Sequence, residues 1–168
     1  MQLDIKEQSL ILEGKKYSRK ELMSLSANAT GDNTSSFLLD LYRFLADWFS
    51  DSPFMTVHTS GSTGTPKVLT VRKEQMMQSA RMTCEFLNLH TGDTALLCMP
   101  LQYIAGKMMV VRALVAGLNL ILRTPSGHPL ADVTVPLRFV AMVPLQVFNT
   151  LQVLREKERL CHTDILII

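Results

Sequence analysis

Short apolar runs separated by helix-length segments recur through the second half of the chain. They are Ala95-Leu96-Leu97-Cys98-Met99, Leu118-Asn119-Leu120-Ile121-Leu122, Phe139-Val140-Ala141-Met142-Val143 and Ile165-Leu166-Ile167-Ile168. Apart from Asn119, each is apolar at successive positions, so a strand built from it has no face for water. Between them, Tyr103 to Val115 reads as a helix closed by Gly117, and Pro144 fits the first turn of a helix reaching about Arg159. Strands apolar on both faces, alternating with helices, predict an α/β fold with a mostly parallel sheet flanked by helices. The sequence stops on the last isoleucine of a core strand. In such sheets the ligand-contacting loops leave the carboxyl ends of strands, so further polypeptide after Ile168 is the expectation.

The first half reads differently. Leu10-Ile11-Leu12 and Lys16-Tyr17 flank Gly14 as a small hairpin, and Ser18 with Glu21 forms a capping box that opens a short helix. From Ser35 to Phe49, Phe37, Leu38, Leu41, Phe44, Leu45, Trp48 and Phe49 recur at three- and four-residue spacings. That stripe predicts an amphipathic core helix, ended by Asp51-Ser52-Pro53. Lys73 to Leu89 reads as another helix, with Met76, Ala80, Cys84 and Leu87 on one face. The chain divides into an N-terminal hairpin and helical segment, 1–53, and an incomplete α/β subdomain, 54–168.

Seventeen basic and fifteen acidic side chains give 168 residues a formal charge of +2, too balanced for a nucleic-acid surface. The most apolar region, Ala95 to Leu122, is cut by Pro100, Lys107 and Arg112, so no membrane span is expected. Cys84, Cys98 and Cys161 are widely spaced among apolar residues and read as buried free thiols in a reducing, cytoplasmic setting. No His, Cys and carboxylate spacing matches a zinc site. Met76, Met77, Met82, Met108 and Met109 read as adaptable core filler, and apolar surface left by an absent half would favour homo-oligomers.

One stretch carries chemistry. An apolar segment, Phe54-Met55-Thr56-Val57-His58, leads into Thr59-Ser60-Gly61-Ser62-Thr63-Gly64-Thr65-Pro66-Lys67, and Val68-Leu69-Thr70-Val71 returns as a strand. Gly61 and Gly64 allow close backbone approach, the hydroxyls of Thr59, Ser60, Ser62, Thr63 and Thr65 donate, and Lys67 adds a positive charge. These are the groups that hold polyphosphate. After Pro66, Lys67 can instead run along the strand and order the loop. An ordinary turn is also rich in Ser, Thr and Gly; the Pro-Lys pair and the flanking strands set this one apart. A strand–loop–strand, with Pro66 before the lysine, is not a Walker site.

The string from Thr59 to Lys67 closely resembles the phosphate loop of the adenylate-forming (AMP-binding) enzymes, which include acyl-CoA synthetases, luciferases and nonribosomal-peptide adenylation domains. Met99-Pro100-Leu101-Gln102-Tyr103-Ile104-Ala105-Gly106 is similar to the family's Leu-Pro-Leu-Phe-His-x-x-Gly segment, and Phe139 to Pro144 to its strand followed by Val-Pro. The resemblance spans Phe54 to Ile168. Within the family, the o-succinylbenzoate–CoA ligases of menaquinone synthesis look most similar, because the loop comes early and the Pro-Leu-x-x-x-x-Gly and Val-Pro-x-Gln patterns match. The resemblance implies part of the large N-terminal domain of such an enzyme. It implies attack of a small carboxylic acid on the α-phosphorus of ATP, then transfer of the acyl group to coenzyme A, with Mg2+ on the phosphates. Gln102, Tyr103 and Gly106 would lie at the acid pocket, although strand-end packing is the plain alternative for the first two. Tyr103 stands where relatives usually carry histidine, and a phenol does not titrate near neutrality. Catalytic residues would lie downstream of Ile168. Another acyl-CoA synthetase, an adenylation domain, and a catalytically inert structural fragment are the competing readings.

Overall fold

The computed structural model describes residues 4–29, 35–59 and 67–168. A six-stranded sheet has the order β2-β1-β6-β5-β7-β8. Its strands are β1 (Ser9–Leu12), β2 (Lys15–Ser18), β5 (Thr94–Leu97), β6 (Asn119–Leu122), β7 (Phe139–Ala141) and β8 (Ile165–Ile167). Every neighbouring pair is parallel except β1 and β2. That is the mostly parallel α/β sheet expected from strands apolar on both faces. The N-terminal hairpin joins it through β1, which pairs with β6 at Ile11–Asn119 and Leu12–Leu120. Its turn places Glu13 at φ 47° and Gly14 at φ 82°, two left-handed positions that match the twist of a tight hairpin. The Glu13 carboxylate then accepts from the Leu122 N–H at 2.7 Å, locking the turn to the end of β6.

Alternation along each strand feeds two cores. Ala95, Leu97, Leu120, Phe139 and Ala141 face a layer made by α2 (Ser36–Phe49), α3 (Lys73–Phe86) and α4 (Ile104–Ala116). Leu96, Cys98, Ile121, Val140 and Met142 face the opposite side, where Leu130, Val133 and Leu137 pack with Val147 of α5 (Pro144–Gln152) and Leu160 of α6 (Leu154–Cys161). The capping box of α1 (Arg19–Asn28) forms as expected, Ser18 and Glu21 satisfying each other's N–H groups. Fully buried Trp48 of α2 spends its indole N–H on Gln8 Oε1 at 2.8 Å, as a buried donor must. Gly117 closes α4 in the left-handed conformation at φ 70°.

Three expectations are corrected. The single helix read from Pro144 to about Arg159 is two, because Val153 is extended at φ −112° and ψ 112°. The break lets Arg159 donate to the carbonyls of Leu130 and Ala131 and lets Glu156 meet His128 at 2.9 Å. Charge-assisted bonds of that kind outweigh the one or two helical bonds given up. Cys161 is exposed rather than buried, while Cys84 and Cys98 are buried. The last strand, β8, is an edge strand and only half-buried, so an apolar run did not imply full burial there.

Candidate functional site

A second, two-stranded sheet carries the chemistry-bearing stretch. β3 (Phe54–Thr59) and β4 (Lys67–Arg72) pair antiparallel in unbroken register from Phe54–Arg72 to Thr59–Lys67. β3 alternates: Met55 and Val57 are buried and Thr56 is exposed. The antiparallel return is the strand–loop–strand expected from the sequence. Thr59, half-buried, and Lys67, exposed, therefore face each other at the mouth of the hairpin. Ser60, Gly61, Ser62, Thr63, Gly64 and Thr65 lie outside the described residues.

The hairpin mouth meets the turn between β5 and α4. His58 of β3 pairs in parallel fashion with Tyr103, one position before Thr59. Gln102 is exposed and Tyr103 half-buried, and Tyr103 is the N-cap of α4 without a capping side chain. Thus Thr59, Lys67, Gln102 and Tyr103, widely separated in sequence, come to one place. Gly106 stands behind them. A Cβ there would lie 2.4 Å from the Pro100 carbonyl oxygen and 2.9 Å from that of Met99, so glycine permits α4 to start directly against the preceding turn.

Sequence reasoning passed over Lys107, whose Nζ donates to the Thr56 carbonyl at 2.5 Å. Burial pulls its pKa down, partly offset by Asp47. The signal was available: a cation in the first turn of a mostly apolar helix invites the question of what it holds. Gln146 entered the sequence reading only as the last residue of the Val-Pro-x-Gln pattern, with no role given to it. Its amide donates to the carbonyls of Cys98, at 3.1 Å, and Ser126, at 2.9 Å, while its oxygen accepts from Val143 N–H at 3.1 Å. One buried side chain so joins the segments that follow β5, β6 and β7. His128 pairs with the buried Glu156 at 2.9 Å.

A groove of about 890 Å³ is lined by Asp4, Ser50, Asp51, Lys73, Glu74 and Arg81 among others. It lies toward the other end of the hairpin, where Phe54 pairs with Arg72 and the Lys73 N–H bonds the Pro53 carbonyl. Lys73, 2% exposed, is a brace: its Nζ donates to Ser50 O at 2.9 Å and burial lowers its pKa, with Asp47 and Asp51 opposing. Among the described residues no group of three or more His, Cys, Asp or Glu could hold a metal ion, and no helix is long and apolar enough to cross a membrane.

A family model described as AMP-binding enzyme matches residues 3–158, extending well upstream of Phe54, where the motif resemblance began. The 2-succinylbenzoate–CoA ligase of Haemophilus influenzae is 29% identical over 118 residues, covering 70% of this chain and 25% of that protein. An acyl-CoA synthetase (AMP-forming)/AMP-acid ligase II-like protein from Dyadobacter fermentans matches with a TM-score of 0.74 and 33% identity, over 86% of this chain and 42% of its own. The o-succinylbenzoate CoA synthetase (MenE) of Bacillus subtilis, solved with the acyl-adenylate intermediate OSB-AMP, matches with a TM-score of 0.60 and 14% identity, over 89% and 48%. That last likeness is one of fold. The chain spans between a quarter and half of the length of these relatives.

Proposed function

The chain belongs to the AMP-binding enzyme family, and from that premise we propose that it is the N-terminal portion of an ATP-dependent acid–CoA ligase acting on o-succinylbenzoate. One observation carries the reading: the His58–Tyr103 pairing sets the mouth of the β3–β4 hairpin beside the turn that bears Gln102 and Tyr103. A nucleotide held by residues 59–67 and an acid held near 102–106 would then be neighbours, the arrangement that in-line attack on the α-phosphorus requires.

In that reaction a carboxylate oxygen forms a bond to the α-phosphorus and pyrophosphate leaves; coenzyme A thiol then displaces AMP from the acyl-adenylate. Two anions must meet, so charge neutralisation and orientation are the main tasks. Ser60, Ser62, Thr63 and Thr65, with the backbone at Gly61 and Gly64, would grip the departing phosphates between Thr59 and Lys67. Magnesium would neutralise phosphate charge when bound. The ATP phosphates would supply oxygen ligands for it. The same reading places the enzyme in the cytoplasm and the remaining substrate contacts in polypeptide beyond these residues. An acid other than o-succinylbenzoate is the second reading. Its support is the 33% identity to a Dyadobacter fermentans protein described as an acyl-CoA synthetase (AMP-forming)/AMP-acid ligase II-like protein, a broader class than the o-succinylbenzoate ligases.

Exchange of labelled pyrophosphate into ATP by the full-length protein tests both. Exchange with o-succinylbenzoate is expected, and Thr63→Ala or Gly64→Val should lower it roughly 10²-fold without unfolding, the usual cost of losing a donor to developing charge. Exchange only with a different acid removes the narrower reading; full exchange by both variants removes the phosphate role.

A further inference from the structure

The β3–β4 hairpin is its own two-stranded sheet, not an extension of the six-stranded one. Among the described residues, its backbone pairs with the rest of the fold at His58–Tyr103. That pairing fixes one point at the hairpin mouth, while the buried Met55 and Val57 seat β3 on the core and the Lys73 N–H holds the Pro53 carbonyl at the far end. The Lys107 ammonium supplies a further point, on the Thr56 carbonyl two residues upstream of His58. Its location is energetically awkward. The first turn of α4 is the positive end of the helix dipole, where a cation is disfavoured, and the side chain is partly stripped of water. A lysine whose long stem merely covered apolar surface would carry its charge out to solvent. This one turns it onto a backbone carbonyl of the strand that leads to the glycine-rich loop. Gly106, the residue before Lys107, admits no Cβ because it lies hard against the Met99 and Pro100 carbonyls, so the first turn of α4 is tightly packed where Lys107 starts.

We propose that Lys107 is a positioning residue: together with the His58–Tyr103 pairing it fixes the angle of the β3–β4 hairpin on α4, and so aligns the nucleotide with the acid pocket. The proposal rests on the ligase reading for its consequence, but the clamp itself can be measured without it. Lys107 touches neither substrate in this account. Removing it should therefore slow adenylation more than it weakens binding.

The test compares the full-length protein with Lys107→Met, which keeps the stem and removes the charge, and with Lys107→Arg. In Lys107→Met, amide hydrogen exchange of β3 and β4 should quicken about tenfold while β5, β6 and β7 are unchanged. In pyrophosphate exchange, kcat should fall about 10- to 100-fold with KM for ATP and acid shifting under about threefold, and Lys107→Arg should recover most of kcat. Unchanged hairpin exchange overturns the proposal. So does an equal loss of protection across the six-stranded sheet, which would make Lys107 ordinary core support. A selective rise in KM for the acid also overturns it, since that would make Lys107 a substrate contact. If the wild type exchanges no pyrophosphate with any acid, the ligase reading fails, and the hydrogen-exchange arm alone decides the clamp.

Discussion

The six-stranded sheet and the β3–β4 hairpin solve different problems. Strands β5 and β7 at the centre of the large sheet bury both faces, and Leu96, Leu97, Phe139 and Val140 have no exposed surface. In the hairpin, β3 buries Met55 and Val57, whereas β4 leaves Val68 62% and Leu69 46% exposed. The sheet is stabilised by burial on two sides; the hairpin is stabilised by its own ladder, one buried face and a few specific contacts with α4. If the proposed reading holds, stability and ligand handling reside in different parts of one small fold: residues 59–67 are carried on the element with fewer apolar contacts, which is where local opening costs least.

The comparison is broken most severely by truncating the two parts in parallel. Phe139→Ala should destabilise the protein by about 3–5 kcal/mol, because a fully buried ring leaves a cavity between β7 and α4. Leu69→Ala should change stability by no more than about 0.5 kcal/mol. Urea unfolding followed by tryptophan fluorescence reads both, since Trp48 is buried in the same core as Phe139. A Leu69→Ala loss approaching that of Phe139→Ala would mean that the hairpin is as deeply committed to the core as the sheet.

A smaller effect is expected at the junction. Gly106→Ala places a methyl group 2.4 Å from the Pro100 carbonyl oxygen, and that neighbour is backbone, which cannot rotate aside. The start of α4 must shift, costing about 1–3 kcal/mol. The shift should also loosen the His58–Tyr103 pairing, raising amide exchange at β3 beyond what the global loss explains. If thermal melting of Gly106→Ala matches the wild type, the tight approach is relieved by some adjustment that the static arrangement does not reveal.

Much of this was legible from the residues alone, for identifiable reasons. Runs apolar on both faces specified a covered parallel sheet because no other common architecture buries both sides of a strand. The Thr59–Lys67 string specified a strand–loop–strand because the short apolar segments Phe54–His58 and Val68–Val71 flank it. The pairing of β1 with β6 was not legible, since nothing local to Leu12 marks Leu120 as its neighbour. The break at Val153 was hidden for a similar reason: it is set by where Arg159 and Glu156 find partners, not by helix propensity. The contacts of Lys107 and of Gln146, the latter known only as part of the Val-Pro-x-Gln pattern, were not legible because each donates to backbone carbonyls, and a carbonyl leaves no trace in a sequence. The residues singled out near 102–106 were found through resemblance, and their proximity to the hairpin emerged only from the fold.

The smallest effect sharpens the contrast by asking how completely the sheet is sealed. Cys98 follows β5, is fully buried, and points its thiol toward the Ala141 carbonyl at 3.6 Å. Burial pushes its pKa up to about 12. In the unfolded chain the thiol has its ordinary value, near 8.5. Between those values the folded protein holds a proton that the unfolded chain releases. The advantage of the buried thiol is therefore complete below about pH 8.5 and is lost as pH rises toward 12, at up to ~1.4 kcal/mol per unit. Between pH 8 and pH 9.5, the wild type should lose about 1 kcal/mol more than Cys98→Ala in urea titrations, a difference that isolates this group from the lysines titrating nearby. In parallel, iodoacetamide at pH 8 should label exposed Cys161 in the native protein and Cys98 only after unfolding. Equal native labelling of the two, or identical pH profiles for wild type and Cys98→Ala, would mean that water reaches the carboxyl end of β5, and the large sheet would then be as open there as the hairpin is along β4.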